Sequence, residues 1–357
     1  MSRHSLMERC DEWLSADLDD WTRRTVRRHF DPVGGSPYWL GRLAGLGFDP
    51  GDITRYEQLV EFGPAPVDDL RSLDPADLVP RSVPRPLTGR VWDSGGTTGT
   101  PCRLFYTPAM LAHRGIWRTW SFITEGFREN SCWLQATPTG PHLIGNGTWE
   151  VTELFGGRSY AIDMDPRWVK RLLRDGRVRE AAQYTDHLVD QIATVLHTQP
   201  IDYVNTTPAL FGALAQREPK LVAELSGVRL SGTQLTPAMR RRFVDALDGG
   251  ICGASYGNTF GNAASLPPEN DGGLLPYVPN FPQVTMRVAD RSDWLRTVPY
   301  GATGQVVLTV LHEDLFLPNI LERDQAVRYD PGGRWPSDGV ANVRPLEVVR
   351  SAPEGVY

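Results

Sequence analysis

The sequence predicts an α/β chain, a mostly parallel sheet covered by helices with a small β lobe toward the C-terminal end. Three observations predict it. Short apolar runs alternate with helical patterns between 132 and 259, which requires crossover connections and a sheet buried on both faces. Residues 274–329 instead hold closely spaced β-like runs, TMRVAD, GQVVLTVL and AVRYD, which read as antiparallel or barrel-like. The composition, 40% hydrophobic and 22% charged, is that of a globular chain.

The elements follow in order. Leu14, Leu18, Trp21, Val26 and Phe30 recur near helical spacing among many charges, so 7–30 reads as an amphipathic helix. Residues 31–90 are rich in Pro and Gly and hold short helical stretches, one of them around Val67–Leu73. VWDSGGTTGTPCRLFYT (91–107) reads as strand, Gly/Thr-rich loop and strand, and 108–130 as a helix carrying Leu111, Trp117, Trp120 and Phe122. CWLQATP (132–138) is a short apolar strand, and 166–199 supplies one or two helices. IDYVNTTP (201–208) and VRLSGTQLT (228–236) are strand plus turn, each followed by a helix. The second of these, PAMRRRFVDAL, has Pro in its first turn, where a missing N–H costs nothing. GGICGASYGNT (249–259) is strand plus loop. The division expected is 1–270 as the αβ body with nucleotide and acyl pockets, and 271–357 as a smaller β lobe with a hinge-like tail.

Charge and composition narrow the function classes. With 37 Lys+Arg against 43 Asp+Glu, the net charge of −6 argues against a nucleic-acid-coating surface. No apolar run reaches about 18 residues, so no membrane-crossing helix is expected. The N-terminal MSRHSLMERCDEWLSADLDD carries acids where a secretory signal carries an apolar stretch, and a cytoplasmic address is expected. Cys10, Cys102, Cys132 and Cys252 lack metal-knuckle spacing and read as isolated thiols. Only Lys170 and Lys220 are lysines, so a mechanism that needs one has two candidates.

DSGGTTGTP (93–101) is the sharpest local signal. Glycines let the backbone approach a ligand closely, and successive N–H groups with Ser/Thr hydroxyls suit phosphate oxygens. It is not a GxxxxGK[ST] loop, because Thr100 and Pro101 stand where that motif needs Lys and a hydroxyl. By itself such a stretch is also an ordinary turn.

Three further segments follow it in order: SGTQLTPAMRRRF (231–243), SYGNTFG (255–261) and GQVVLTVL…LERD (304–324). Together the four resemble the adenylate-forming superfamily of acyl-CoA ligases and adenylation domains, nearest its phenylacetate-CoA ligase-like branch, over about residues 90–330. The resemblance implies the fold of the large N-terminal domain of such an enzyme. It implies that Ser94, Gly95, Gly96, Thr97, Thr98 and Gly99 cradle the β- and γ-phosphates of ATP. Ser231, Gly232 and Thr233 would lie along the adenine, Tyr256 would stack on it, and Gly257 and Asn258 would continue that turn. Thr259 would hydrogen-bond the α-phosphate, and Asp324 would bind the ribose hydroxyls. Competing ordinary readings stand beside these: Tyr256 as a core aromatic, Thr259 as a turn hydroxyl, Asp324 as an acid paired with Arg323 or Arg328.

The departures from the family pattern matter equally. Phe260 stands where the family has the Glu that helps hold Mg²⁺, so no protein metal ligand is assigned and the ion must use phosphates and water or another acid. Thr100 replaces a common Lys. About 33 residues follow Asp324, none of them Lys, so the smaller C-terminal domain with its lysine is expected to be absent. SDGVANVRPLE (337–347) resembles the hinge, with Asp338 as its acid. Adenylation brings a carboxylate against the α-phosphate, and losing a group that neutralises this repulsion costs on the order of 10²–10³ in rate. Arg323 is the candidate replacement, with Thr259 as the second catalytic residue. The acyl pocket is expected between the sheet and the 135–160 loop, lined by His142, Asn146 and Trp149.

The reading is ATP-dependent activation of a hydrophobic, aromatic-type carboxylic acid to an acyl-adenylate in a specialised biosynthetic pathway. The implied partners are the small-molecule acid and an acceptor enzyme or carrier protein in trans, with no nucleic acid and no membrane. The alternative is a degenerate member that binds an acid, nucleotide or acyl-adenylate, or uses the pocket for acyl or amide transfer, without efficient adenylation.

Overall fold

Threonine or aspartate followed by proline opens several of the helices, and the reason is local. In a computed structural model that describes residues 2–95 and 100–346, Thr207, Thr236 and Asp165 accept hydrogen bonds from the backbone N–H of Leu210, Met239 and Arg167. The prolines that follow start the helices Pro208–Arg217, Pro237–Ala246 and Pro166–Arg174. A side-chain oxygen satisfies one orphan donor while proline pre-sets φ.

The chain divides into two compact units, neither contiguous in sequence. One comprises Met1–Trp117, Asn258–Ala263 and Val278–Ala341; the other comprises Arg118–Gly257, Ala264–Tyr277 and Asn342–Tyr357.

The first unit is built on an antiparallel set, Val284–Ala289, Thr303–His312 and Leu315–Tyr329. The last two pair with two register shifts. In one, Pro318 and Asn319 face Thr309 alone, and Asn319 takes φ 56°. Its side-chain amide donates to Leu59 O at 2.6 Å and Gly63 O at 3.1 Å. In the other, Glu322, Arg323 and Asp324 face Val306 alone. Helices from the N-terminus pack on these strands: Trp21 and Trp39 donate their indole N–H to Leu311 O and Phe316 O at 2.7 and 2.9 Å. Phe30, Trp39, Phe48, Phe62 and Phe316 form a mutual aromatic cluster. The region expected as one helix over 7–30 is two, Arg3–Leu14 and Leu18–His29. The break falls where the Asp17 side chain accepts from Asp20 N at 2.9 Å and starts the second helix.

The second unit holds the expected parallel sheet, in the order Gly157–Ala161, Ser131–Ala136, Tyr203–Thr206, Gly227–Leu230, Ile251–Gly257. Residues 166–199 form two helices, Pro166–Arg174 and Val178–Thr198. Its core centres on Phe122, Phe127, Trp133, Val151 and Tyr203. Arg229 and Glu125 make a buried ion pair at 3.1 Å, with Arg229 also donating to Ser121 Oγ at 2.8 Å and lying 4.2 Å above the Phe122 ring. The stretch expected as a pocket loop carries a helix, Gly147–Phe155. No helix among the described residues is long and apolar enough to cross a membrane.

Candidate functional site

In the first unit, two short strands flank the Gly/Thr segment. Strands Arg90–Asp93 and Arg103–Tyr106 pair antiparallel, and just beyond them Ser94 N donates to Cys102 O and Cys102 N to Ser94 Oγ, both at 2.9 Å. Gly95 is exposed; Gly96, Thr97, Thr98 and Gly99 lie outside the described residues. Arg71 donates to the Thr100 carbonyl, so a guanidinium is anchored at the loop's far end. Burial pushes the Cys102 thiol up, which disfavours its thiolate.

The Tyr256 segment enters this unit at Asn258. Asn258 Oδ1 accepts from Phe260 N at 2.8 Å and Gly261 N at 3.3 Å, and Asn258 N donates to Gly261 O at 3.0 Å, closing a tight turn. Gly261 has no room for a side chain, since a Cβ there would meet Val284 Cγ1 at 2.9 Å and Leu308 Cδ1 at 3.1 Å. Thr259, at the turn's centre, is pinned twice: Tyr106 OH donates to its carbonyl at 2.9 Å, and its own hydroxyl donates to Asp93 O at 3.2 Å. A hydroxyl has one proton, so Thr259 must release Asp93 O before it can donate to a phosphate. Phe260, predicted to stand where the family's metal-holding Glu would be, is buried and lines a small cavity with Asn262, Asn280, Gln283, His113 and His312. Among the described residues no cluster of three His, Cys, Asp or Glu is placed to hold a metal.

The same turn is tied to Asp324. Asn258 Nδ2 donates to Glu322 Oε1 at 2.7 Å, and Gln305 Nε2 donates to Glu322 O at 2.7 Å. Glu322, Arg323 and Asp324 are the three residues extruded opposite Val306, so the predicted ribose acid sits in a bulge, a common device for re-aiming side chains. Arg323 is exposed and Asp324 half-buried. Glu322 was not among the residues predicted to act. Burial pushes its carboxyl up to about 7, with the Asp324 charge adding to the rise and Asn258 and Arg323 opposing it. Asp338, the expected hinge acid, pairs with Arg328 at 2.7 Å and accepts from Tyr300 OH at 2.7 Å.

In the second unit the predicted adenine residues stand at the carboxyl ends of adjacent parallel strands, where open α/β sheets bind ligands. Ser231 follows Gly227–Leu230 and donates its N–H to Thr206 O at 3.1 Å. Gly232 turns the chain with φ 86°, and Thr233 leads toward the Thr236 cap. Tyr256 lies two residues past Ala254, which pairs with Leu230; its half-buried ring sits 6.1 Å from Tyr277. Gly257 has φ 150°.

The three predicted pocket residues differ in setting. His142 is buried, Asn146 donates to Glu150 Oε1 at 2.8 Å, and Trp149 is 43% exposed on the helix Gly147–Phe155. Glu150 also lies 3.6 Å from Arg118. Beside them Gln135 Oε1 accepts from Thr148 Oγ1 at 2.8 Å and Asn205 Nδ2 at 2.9 Å. This wall at the strand ends is polar.

The fold these elements make is that of the N-terminal domain of adenylate-forming enzymes. The chain is similar to three structures of 2-hydroxyisobutyryl-CoA ligase. The open conformation in complex with 2-HIB-AMP and CoA gives a TM-score of 0.68 at 16% identity, over 94% of this chain and 75% of that one. The thioesterification state with the same ligands gives 0.64 at 16% identity, over 98% and 70%. The postadenylation state with 2-HIB-AMP gives 0.62 at 17% identity, over 90% and 65%. No family model matches the sequence, and no curated protein matches it.

Proposed function

We propose that the protein activates a carboxylic acid with ATP, forming an acyl-adenylate and pyrophosphate. The observation that carries this reading is the tethered pair of segments in the first unit: the Thr259 turn bound through Asn258 to the bulge that presents Asp324. In the proposed reaction a carboxylate oxygen of the acid attacks the α-phosphorus. The bond from that phosphorus to the bridging oxygen breaks, and pyrophosphate leaves. Asp324 accepts from the ribose hydroxyls, Tyr256 offers its ring to the adenine, and Ser231, Gly232 and Thr233 border it. Ser94 to Gly99 receive the β- and γ-phosphates. Thr259 exchanges its bond to Asp93 O for one to the α-phosphate. Arg323 supplies the cation next to Asp324. Phe260 supplies no oxygen and, among the described residues, no cluster of three His, Cys, Asp or Glu stands in for it, so a magnesium ion would rely on phosphate and water oxygens or on another acid.

The acid is proposed to be hydrophobic and aromatic in type, with Trp149 as the exposed ring available to it. The acyl-adenylate would pass to an acceptor enzyme or carrier protein in trans, in a specialised biosynthetic pathway. A second reading, binding of an acid, nucleotide or acyl-adenylate without efficient turnover, is favoured by Phe260 and by the engaged Thr259 hydroxyl. Calorimetry with ATP, AMP and a non-hydrolysable acyl-adenylate analogue, followed by a pyrophosphate-release screen over aromatic acids, separates the two. Analogue binding with pyrophosphate release supports the enzyme; analogue binding without release from any acid supports the binder. No binding of all three ligands removes both.

A further inference from the structure

The position of Glu322 is unusual. It follows Leu315–Leu321, a run whose one polar side chain is Asn319, and is extruded with Asp324 where three residues oppose one. Its side chain reaches back to Asn258 at 2.7 Å, and Asn258 holds the turn on either side of Thr259 by three hydrogen bonds. A single carboxyl therefore connects the two segments to which the proposed nucleotide site assigns the α-phosphate and the ribose. We propose that Glu322 is a positioning residue that holds the Asn258–Gly261 turn in its neutral, protonated form when a nucleotide is bound. This inference rests on the nucleotide reading of that site.

The physical argument concerns charge. The groups facing Glu322 are Asp324 and Arg323 from its own strand, Asn258 from the turn and Gln305 from the neighbouring strand. Arg323 offers one positive charge and Asp324 one negative, so the local balance without Glu322 is near zero. Glu322 is half-buried, and the desolvation this brings disfavours a second carboxylate and pushes the carboxyl up to about 7. A phosphate arriving at Thr259 adds further negative charge, which shifts the equilibrium toward the protonated acid. The neutral carboxyl keeps a carbonyl oxygen that still accepts from Asn258 Nδ2, so the turn stays in place. The hydroxyl it gains becomes a donor on the nucleotide side of the bulge.

The test is AMP binding by calorimetry in buffers of different ionisation enthalpy, with wild type and the Glu322→Gln and Glu322→Ala variants. Wild type should take up about half a proton on binding at pH 7, and its Kd should rise about tenfold between pH 6 and pH 8, as the competent protonated fraction falls. Glu322→Gln preserves shape and an accepting oxygen but does not titrate. Its proton uptake should fall to that of AMP's own phosphate, and the tenfold pH dependence should disappear. Glu322→Ala should weaken binding at both pH values, because the turn loses its tether. Wild-type binding with no proton uptake beyond that of the phosphate, or the same pH dependence in Glu322→Gln, overturns this inference alone. No AMP binding by wild type at any pH overturns it together with the nucleotide reading.

Discussion

The ion pair of Arg229 and Glu125 gives the most direct test of how the parallel sheet is held. Arg229 sits on the strand that leads to Ser231, and its side chain lies under the strand that leads to Tyr256, within 3.4 Å of Ala254 O. Both charged side chains are buried, 6% and 8% exposed. Replacing Arg229 by Met strands the Glu125 carboxylate in the interior, with only Ser121 and Ser265 hydroxyls as partners. An uncompensated buried charge of this kind costs about 3–5 kcal/mol, and the lost guanidinium contact with Phe122 adds about 1 kcal/mol. Glu125→Leu, which leaves the guanidinium buried without its counter-charge, should cost about 3 kcal/mol. The double variant Arg229→Met with Glu125→Leu removes both charges and should lie within about 2 kcal/mol of wild type. Urea unfolding followed by tryptophan fluorescence reads all four proteins, because Trp133 lies in the core cluster of the same unit. The reasoning fails if Arg229→Met costs under about 1 kcal/mol, or if the double variant is as unstable as the two single changes added together.

Three further outcomes are expected. Asp324→Ala should weaken AMP binding by about 1–3 kcal/mol, the range for a lost charged hydrogen bond, and unchanged affinity in a calorimetric titration would remove Asp324 from the ribose. Phe260→Glu should make nucleotide binding depend on magnesium, and a flat magnesium titration of that variant would count against equating position 260 with the family's metal acid. Stability should fall on acidification. His29 and His312 are held by burial at about 3 and about 4, and His113 is also lowered, against 6.5 for the free side chain. Below pH 6.5 the unfolded chain therefore takes up protons that the fold refuses, and stability drops. Glu322 works in the opposite sense: its raised pKa penalises the fold above pH 7, and that penalty is relieved as pH falls toward 4.5. Three histidines outweigh one acid, so the net loss between pH 6.5 and pH 5 is about 3 kcal/mol; equal urea midpoints at the two pH values would refute it.

Local chemistry was readable in the sequence, and long-range packing was not. The parallel strands and the proline-started helices rest on residues within a few positions of each other, such as Thr236 and Met239. The same holds for the strand-end positions of Ser231 and Tyr256. The helix Gly147–Phe155 was hidden because Thr148, Val151 and Thr152 are β-branched and it opens on a glycine. The division into two units was hidden because it depends on contacts such as Trp21 with Leu311, 290 residues apart. Glu322 was overlooked for a similar reason. Its place two residues before Asp324 was visible, but the partner that gives it a role, Asn258, is 64 residues away.

The bulge at Glu322–Asp324 also bears on how such a chain can change over generations. On one side of it Leu321 pairs with Val307, and on the other Gln325 pairs with Gln305, so the ladder resumes intact. Two surplus residues are thus absorbed between fixed anchor points and, two being even, the alternation of faces is the same on either side of this bulge. Lengthening a surface loop would have left the acids free to wander, and a slip of the whole strand would have turned its apolar side chains outward. An insertion contained in this way lets acidic residues be added, removed or exchanged at one spot while the surrounding framework is inherited unchanged.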